Sequence, residues 1–155
     1  VKFDLKKSIT FGPNIKSAHF RTIISGWGHA TPADSDGRAC AEWCFRTHKI
    51  KIDNVNKFSH YMGPIGCGSN PISNQAGNWV PDRAGWCPGM VVPVRIDKFD
   101  SDVSNSSLNF EYYFQPWTNN FVGTPGYNNK NAYNAISSFI VLKSDQQIEP
   151  ATISN

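Results

Sequence analysis

Short alternating segments, frequent Gly/Pro/Asn punctuation and the absence of a 3.6-residue apolar period predict an all-β chain. Six to eight strands with irregular connections fit an antiparallel β-sandwich, and the version expected is an eight-stranded jelly-roll β-sandwich. The aromatic content, 13% with five Trp, five Tyr and ten Phe, favours β structure over a helical bundle. At 155 residues with 39% apolar side chains, the chain suits one domain with one core, residues 1–155.

Residues 1–17 read as a strand or extended lead-in followed by the Gly12-Pro13-Asn14 turn. Residues 18–26 are rich in β formers, and Phe20, Thr22 and Ile24 share one face at period two. That strand ends at Gly26-Trp27-Gly28-His29, where the flanking glycines allow a bend that projects the indole. Residues 30–38 are an irregular loop. Residues 47–53 alternate His48, Ile50 and Ile52 against Thr47, Lys49, Lys51 and Asp53, as a half-buried strand does. A turn at Asp53-Asn54 leads to a partner strand over 58–62. Residues 63–90 have no period and recurrent Gly and Pro, yet Trp79, Trp86 and two cysteines argue for an ordered functional loop. Residues 91–97 alternate again and predict a strand with Val92, Val94 and Ile96 on one face. The next strand carries Phe110, Tyr112 and Phe114 on one face. Residues 116–130 read as a loop rich in Asn, Gly and Pro. Residues 135–143 are apolar on both faces, which predicts a central strand. The polar tail from Ser144 is expected to fray.

Net charge is +3 with no basic run, so nucleic acid is not indicated. No apolar stretch approaches the ~20 residues of a membrane span, and no membrane partner is expected. A chain starting at Val1 reads as a processed protein or an excised piece. Four cysteines fit two disulfides and an oxidising compartment, hence a secreted or periplasmic protein. Pairing in order, Cys40 with Cys44 and Cys67 with Cys87, is the simplest of three connectivities. Zinc, with His29, His48 and His60 as further ligands, is the competing reading, although the usual Cys-x2-Cys knuckle is absent. The expectation is no metal and no cofactor.

Three segments carry chemistry. They are Gly26-Trp27-Gly28-His29, Cys40-Ala41-Glu42-Trp43-Cys44 and Pro81-Asp82-Arg83-Ala84-Gly85-Trp86-Cys87. Each sets a Trp beside a polar or ionisable group in a loop or at a strand end. Indole faces suit the C–H faces of sugars, charged groups suit their hydroxyls, and a held carboxylate suits acid–base work. Arg83 offers a planar fork for a carbonyl or carboxylate. Each feature also has a plain counterpart: a small structural disulfide with an incidental Glu42, core roles for Trp27 and Trp79, a surface Asp82–Arg83 pair, and structural roles for His29 and His48.

Residues 21–30 (RTIISGWGHA), 40–48 (CAEWCFRTH), 78–90 (NWVPDRAGWCPGM) and 135–139 (AISSF) closely resemble the bacterial peptide-N-glycosidase F family. The resemblance runs in order from about residue 15 to the end. It implies an amidase that cuts between an asparagine side chain and the first GlcNAc of an N-glycan, giving aspartate and a glycosylamine. It implies N-glycosylated peptides or glycoproteins as substrates and an N-terminal jelly-roll domain of the same enzyme as partner. Only the second domain of that pair is matched, and the family's principal catalytic aspartate has no counterpart here. By position the resemblance makes Glu42 and Arg83 catalytic, Trp43 and Trp86 chitobiose contacts, and Trp27 and His29 cleft residues. Asp82 joins the substrate-binding set as a polar neighbour of Arg83. A carbohydrate-binding β-sandwich without chemistry is the alternative.

Overall fold

The structure is a computed structural model, and it describes residues 5–70, 81–120 and 132–155. Residues 1–4, 71–80 and 121–131, Trp79 among them, lie outside the described residues. Among the described residues the strands are β1 (Lys6–Thr10), β2 (Ser17–Trp27), β3 (Arg46–Ile52), β4 (Val55–Met62), β5 (Val94–Lys98), β6 (Ser107–Tyr113), β7 (Tyr133–Lys143) and β8 (Thr152–Ser154). Among the described residues, one 3-10 turn spans Cys67–Ser69. All pairings are antiparallel, in two sheets of order β4-β3-β6-β1-β8 and β5-β2-β7.

The inward faces follow the alternation. Phe20, Thr22 and Ile24 of β2 are buried, as are His48, Ile50 and Ile52 of β3. Phe20 joins the two sheets, with its ring 5.1 Å from Phe110 and 5.2 Å from Phe99. The β3–β4 hairpin turns at Asp53 and Asn54, both at positive φ, and Asp53 also accepts from the Asn109 backbone N–H at 2.9 Å. Short polar side chains tolerate that backbone region best.

Three expectations need correction. The 91–97 strand starts later than expected, and its apolar face is not the buried one. β5 begins at Val94, and Val94 and Ile96 point outward. Pairing with β2 sets Arg95 beside Thr22 and Asp97 beside Phe20, both core-facing, so the charged residues go inward. The 135–143 segment is not central. β7 lies at the edge of its sheet and β2 holds the middle. Finally, the tail is not frayed to its end. Residues 152–154 form β8 and pair with β1.

The inward charges of β5 are accommodated by a polar cluster between the sheets. His60 Nε2 lies 2.8 Å from Asp97 Oδ2, and His48 Nδ1 lies 3.3 Å from the Tyr112 hydroxyl. Burial, then the nearby charge of Arg95, then that of His60, pushes the His48 pKa from 6.5 down to about 4. Burial also lowers His60, against the attraction of Asp97. An unfolded chain protonates His48 below about pH 6.5, whereas the folded chain resists until about pH 4. Stability contributed by neutral His48 is therefore complete above pH 6.5 and lost as pH falls toward 4, by about 3 kcal/mol. Urea unfolding at pH 7 and pH 4.5 is expected to show a clearly lower midpoint at the acid pH. His48→Gln should flatten part of that slope. Equal midpoints at the two pH values would count against this account.

Candidate active site

Cys40 and Cys44 form a disulfide with Cα atoms 4.8 Å apart, and Cys67 and Cys87 form another at 5.5 Å. The sulfurs of the small ring lie near an Asp34 carboxylate oxygen, all within 4.8 Å of one another. Being bonded to each other, they are not the thiolates that the zinc reading requires. His48 and His60 of that reading are engaged in the core cluster.

The ring is clamped against the end of β2. His29 and Ala41 form an antiparallel bridge, the Ala30 N–H donates to the Cys40 carbonyl, and the Glu42 N–H donates to the Gly28 carbonyl at 3.3 Å. Gly28 takes a φ of 81°, which a side chain would disfavour. Gly26 allows the closest approach: a Cβ there would lie 2.1 Å from the Ala41 carbonyl oxygen. Gly26→Ala is therefore expected to push the ring off β2 and cost about 1–3 kcal/mol, the usual range for overpacking. Thermal unfolding measures the cost. An unchanged midpoint would mean that the ring yields freely.

The 81–87 loop is tied to the same ring. The Ala84 N–H donates to the Glu42 carbonyl at 2.9 Å, and the Gly85 N–H donates to the Gly63 carbonyl at 2.7 Å. Gly85 sits at a φ of 74° against Met62. These backbone ties bring together side chains 41 residues apart. Arg83 Nε–H donates to Glu42 Oε1 at 2.6 Å. The other carboxylate oxygen, Oε2, lies 3.3 Å from His29 Nε2. The Glu42 side chain is 14% exposed and that of Arg83 6%, so the pair is shielded but not sealed. The Arg83 guanidinium lies 4.7 Å from the Trp43 ring and 5.6 Å from the Trp86 ring, with cation–π geometry toward both.

Trp27 and Trp86 stack at 4.6 Å between centroids, tilted by 36°. Trp27 is 42% exposed and Trp86 only 4%. Trp27 is thus not a core residue, and it forms the open face of a two-indole platform with Trp86 beneath it. Its Nε1–H donates to Ser25 Oγ at 2.9 Å. The buried Nε1–H of Trp86 meets no acceptor among the described residues. Such a donor is costly unless a ligand or water satisfies it.

The structure therefore gathers Trp27, His29, Glu42, Trp43, Arg83 and Trp86. It leaves Asp82 outside the cluster. Asp82 Oδ1 accepts from the Cys67 N–H at 3.2 Å and supports the 3-10 turn, rather than pairing with Arg83. Sequence reasoning missed Trp117, which packs on the Cys40/Cys44 ring, and the Asp34–Arg46 ion pair at 3.1 Å beside it. A Trp in a Pro-rich loop was the available signal for the first. Nothing in the local sequence marks the second.

A family model described as "Peptide-N-glycosidase F, C terminal" matches residues 2–141. A curated relative, peptide-N(4)-(N-acetyl-beta-D-glucosaminyl)asparagine amidase F of Elizabethkingia miricola, is 53% identical over 97% of this chain and 41% of its own length. A solved structure of PNGase F, a glycosylasparaginase from Flavobacterium meningosepticum, superimposes with a TM-score of 0.87 at 52% identity, covering 100% of this chain and 48% of that one. A solved structure of PNGF-II superimposes at 0.63 with 16% identity and supports the fold alone, covering 92% of this chain and 25% of that one. The chain thus spans less than half the length of the relatives it matches most fully. With its ring, paired carboxylate and indole platform in place, the chain belongs to the peptide-N-glycosidase F C-terminal family.

Proposed function

We propose that residues 1–155 form a single jelly-roll module contributing half of the active site of an N-glycan amidase. The substrate class is N-glycosylated peptides or glycoproteins, and the bond cut joins the asparagine side-chain amide to the first GlcNAc. Amide hydrolysis needs a water aimed at the carbonyl carbon, a site for the oxyanion charge, and a proton for the departing nitrogen. Glu42 is the group that positions the water or passes the proton. Arg83 orients Glu42 and lies where negative charge develops on the amide oxygen. The Trp27–Trp86 platform and Trp43 receive the sugar faces, and His29 lines the cleft. Asp82 acts on the substrate only through its loop. The principal base comes from an N-terminal jelly-roll module, and no cofactor, nucleic acid or membrane takes part.

One observation carries this reading: a shielded carboxylate held at both oxygens, by Arg83 at 2.6 Å and near His29 at 3.3 Å, beside an open indole. The exposed Trp27 alone would equally favour a carbohydrate-binding module without chemistry. Two disulfides fit a secreted or periplasmic setting.

The test adds this chain to a denatured glycoprotein, alone and together with the amino-terminal part of the Elizabethkingia miricola relative. Glycan release only with both parts is the expected result. Chitobiose binding without release in either arrangement would leave the binding module as the answer.

A further inference from the structure

Arg83 and Trp86 sit on one turn, and that turn rests on a charged residue outside the site. Residues 83–86 are all buried. On one side the turn is held by backbone: Pro64 and Ala84 form an antiparallel bridge, and the Gly85 N–H donates to the Gly63 carbonyl at 2.7 Å. Beneath Gly85 the support comes from side chains. A Cβ added there would lie 2.7 Å from Met62 Cε and 3.3 Å from Arg95 Nη2. Arg95 of β5 thus fills, with its guanidinium, space that a Gly85 side chain would need.

Arg95 is a costly residue to place there. It lies opposite Thr22 and turns toward the core. Its Nη1–H donates to the Pro93 carbonyl at 3.3 Å, and among the described residues no carboxylate is within ion-pair distance of it. Asp97, on the same strand, is engaged by His60 at 2.8 Å. From the other strands His48, His60 and Tyr112 face the same cluster. Burial lowers the Arg95 pKa, against the attraction of Tyr112 and Asp97. An apolar side chain of similar length, such as Met, would fill the space without desolvating a charge. What Met could not supply is a flat, rigid donor end against bare backbone.

The backbone above Arg95 needs such a support. Gly85 sits at a φ of 74°, and glycine leaves that turn wide conformational freedom. Only Ala84 and Gly85 separate Arg83 from Trp86, so a tilt of the turn moves both. Arg83 meets Glu42 at 2.6 Å, and Trp86 stacks with Trp27 at 4.6 Å. A shift of about 1 Å is enough to spoil such an alignment.

We propose that Arg95 is a positioning residue: it seats the Gly85 turn, and through it holds Arg83 against Glu42 and Trp86 beneath Trp27. Its effect on turnover rests on the two-module reading given above; its effect on the turn does not.

Amide hydrogen exchange in the 155-residue chain tests the seating directly. The Ala84 and Gly85 N–H groups report the turn, and those of Phe11 and Asp53, bonded to the Ser106 and Asn109 carbonyls, report the sandwich. Arg95→Met is expected to lower protection at Ala84 and Gly85 at least about 10-fold relative to Phe11 and Asp53, as local opening does. Arg95→Lys, which keeps the charge without the flat end, is expected to fall between Arg95→Met and the wild type. Unchanged protection at the turn overturns the proposal, and so does an equal loss at all four amides. If Arg95→Met does not fold, the same ratio in Arg95→Lys decides. Failure of both variants to fold makes Arg95 a residue of the whole sandwich and also overturns it. With the amino-terminal part of the Elizabethkingia miricola relative present, Arg95→Met is expected to lower kcat about 10-fold and to change KM less, because the open indole, Trp27, lies off the turn. A loosened turn with unchanged kcat overturns the link to Glu42. No glycan release by the wild type removes the amidase reading and leaves the exchange result standing.

Discussion

Glu42→Gln in the complete two-module enzyme lowers turnover at least about 100-fold, the low end of what a positioned acid–base group supplies. The substitution keeps the shape of the side chain and its ability to accept from Arg83 Nε–H. It removes the charge and the capacity to take or give a proton. If Glu42 acts on the reacting atoms, kcat falls while KM changes little, because the sugar is held by the indoles. Glu42→Asp supplies the second comparison. It keeps the charge but withdraws it by one methylene from a partner now 2.6 Å away. An intermediate rate is expected there. A near-normal rate for Glu42→Gln would remove Glu42 from the mechanism.

The second large effect is on stability. Arg83→Met leaves the Glu42 carboxylate, only 14% exposed, with His29 as its remaining ionisable neighbour. Removing one partner from a buried ion pair typically costs about 3–5 kcal/mol, because the other charge stays desolvated. Arg83 also loses its contact with the faces of Trp43 and Trp86, which adds to the loss. The double variant Glu42→Gln, Arg83→Met removes the uncompensated charge, so it should be more stable than Arg83→Met alone. Urea unfolding of the wild type, both single variants and the double variant gives the coupling directly. Additive single effects would show that the pair is not energetically linked. The full 3–5 kcal/mol matters because a domain of this size has only about 5–15 kcal/mol in total.

Much of the site was legible before any coordinates. Cysteines with three residues between them, Glu42 and Trp43 included, read as a ring that could close, and the structure closes it. The glycines flanking Trp27 read as a bend, and Gly28 takes the positive φ that makes one. What could not be read is which partner each group chooses. Asp82 and Arg83 are neighbours in sequence, yet Asp82 serves the Cys67 turn and Arg83 serves Glu42. Neighbours in a loop without regular structure are placed by the separate segments packed against them, so sequence proximity was a poor guide to pairing.

The sequence by itself determined most of the strands and which residues share a face, because side chains alternate at period two wherever the backbone is extended. It also determined the residue kinds needed for the site, since indoles, a carboxylate and a guanidinium are chemistry fixed by identity. Only the tertiary structure decided which face of β5 looks inward, because pairing with β2 sets that register and a one-residue change reverses it. Only the tertiary structure joined Glu42 to Arg83, because that pair depends on two loops hydrogen-bonded through Ala84 and Glu42 backbones, and no local pattern encodes a contact across that distance.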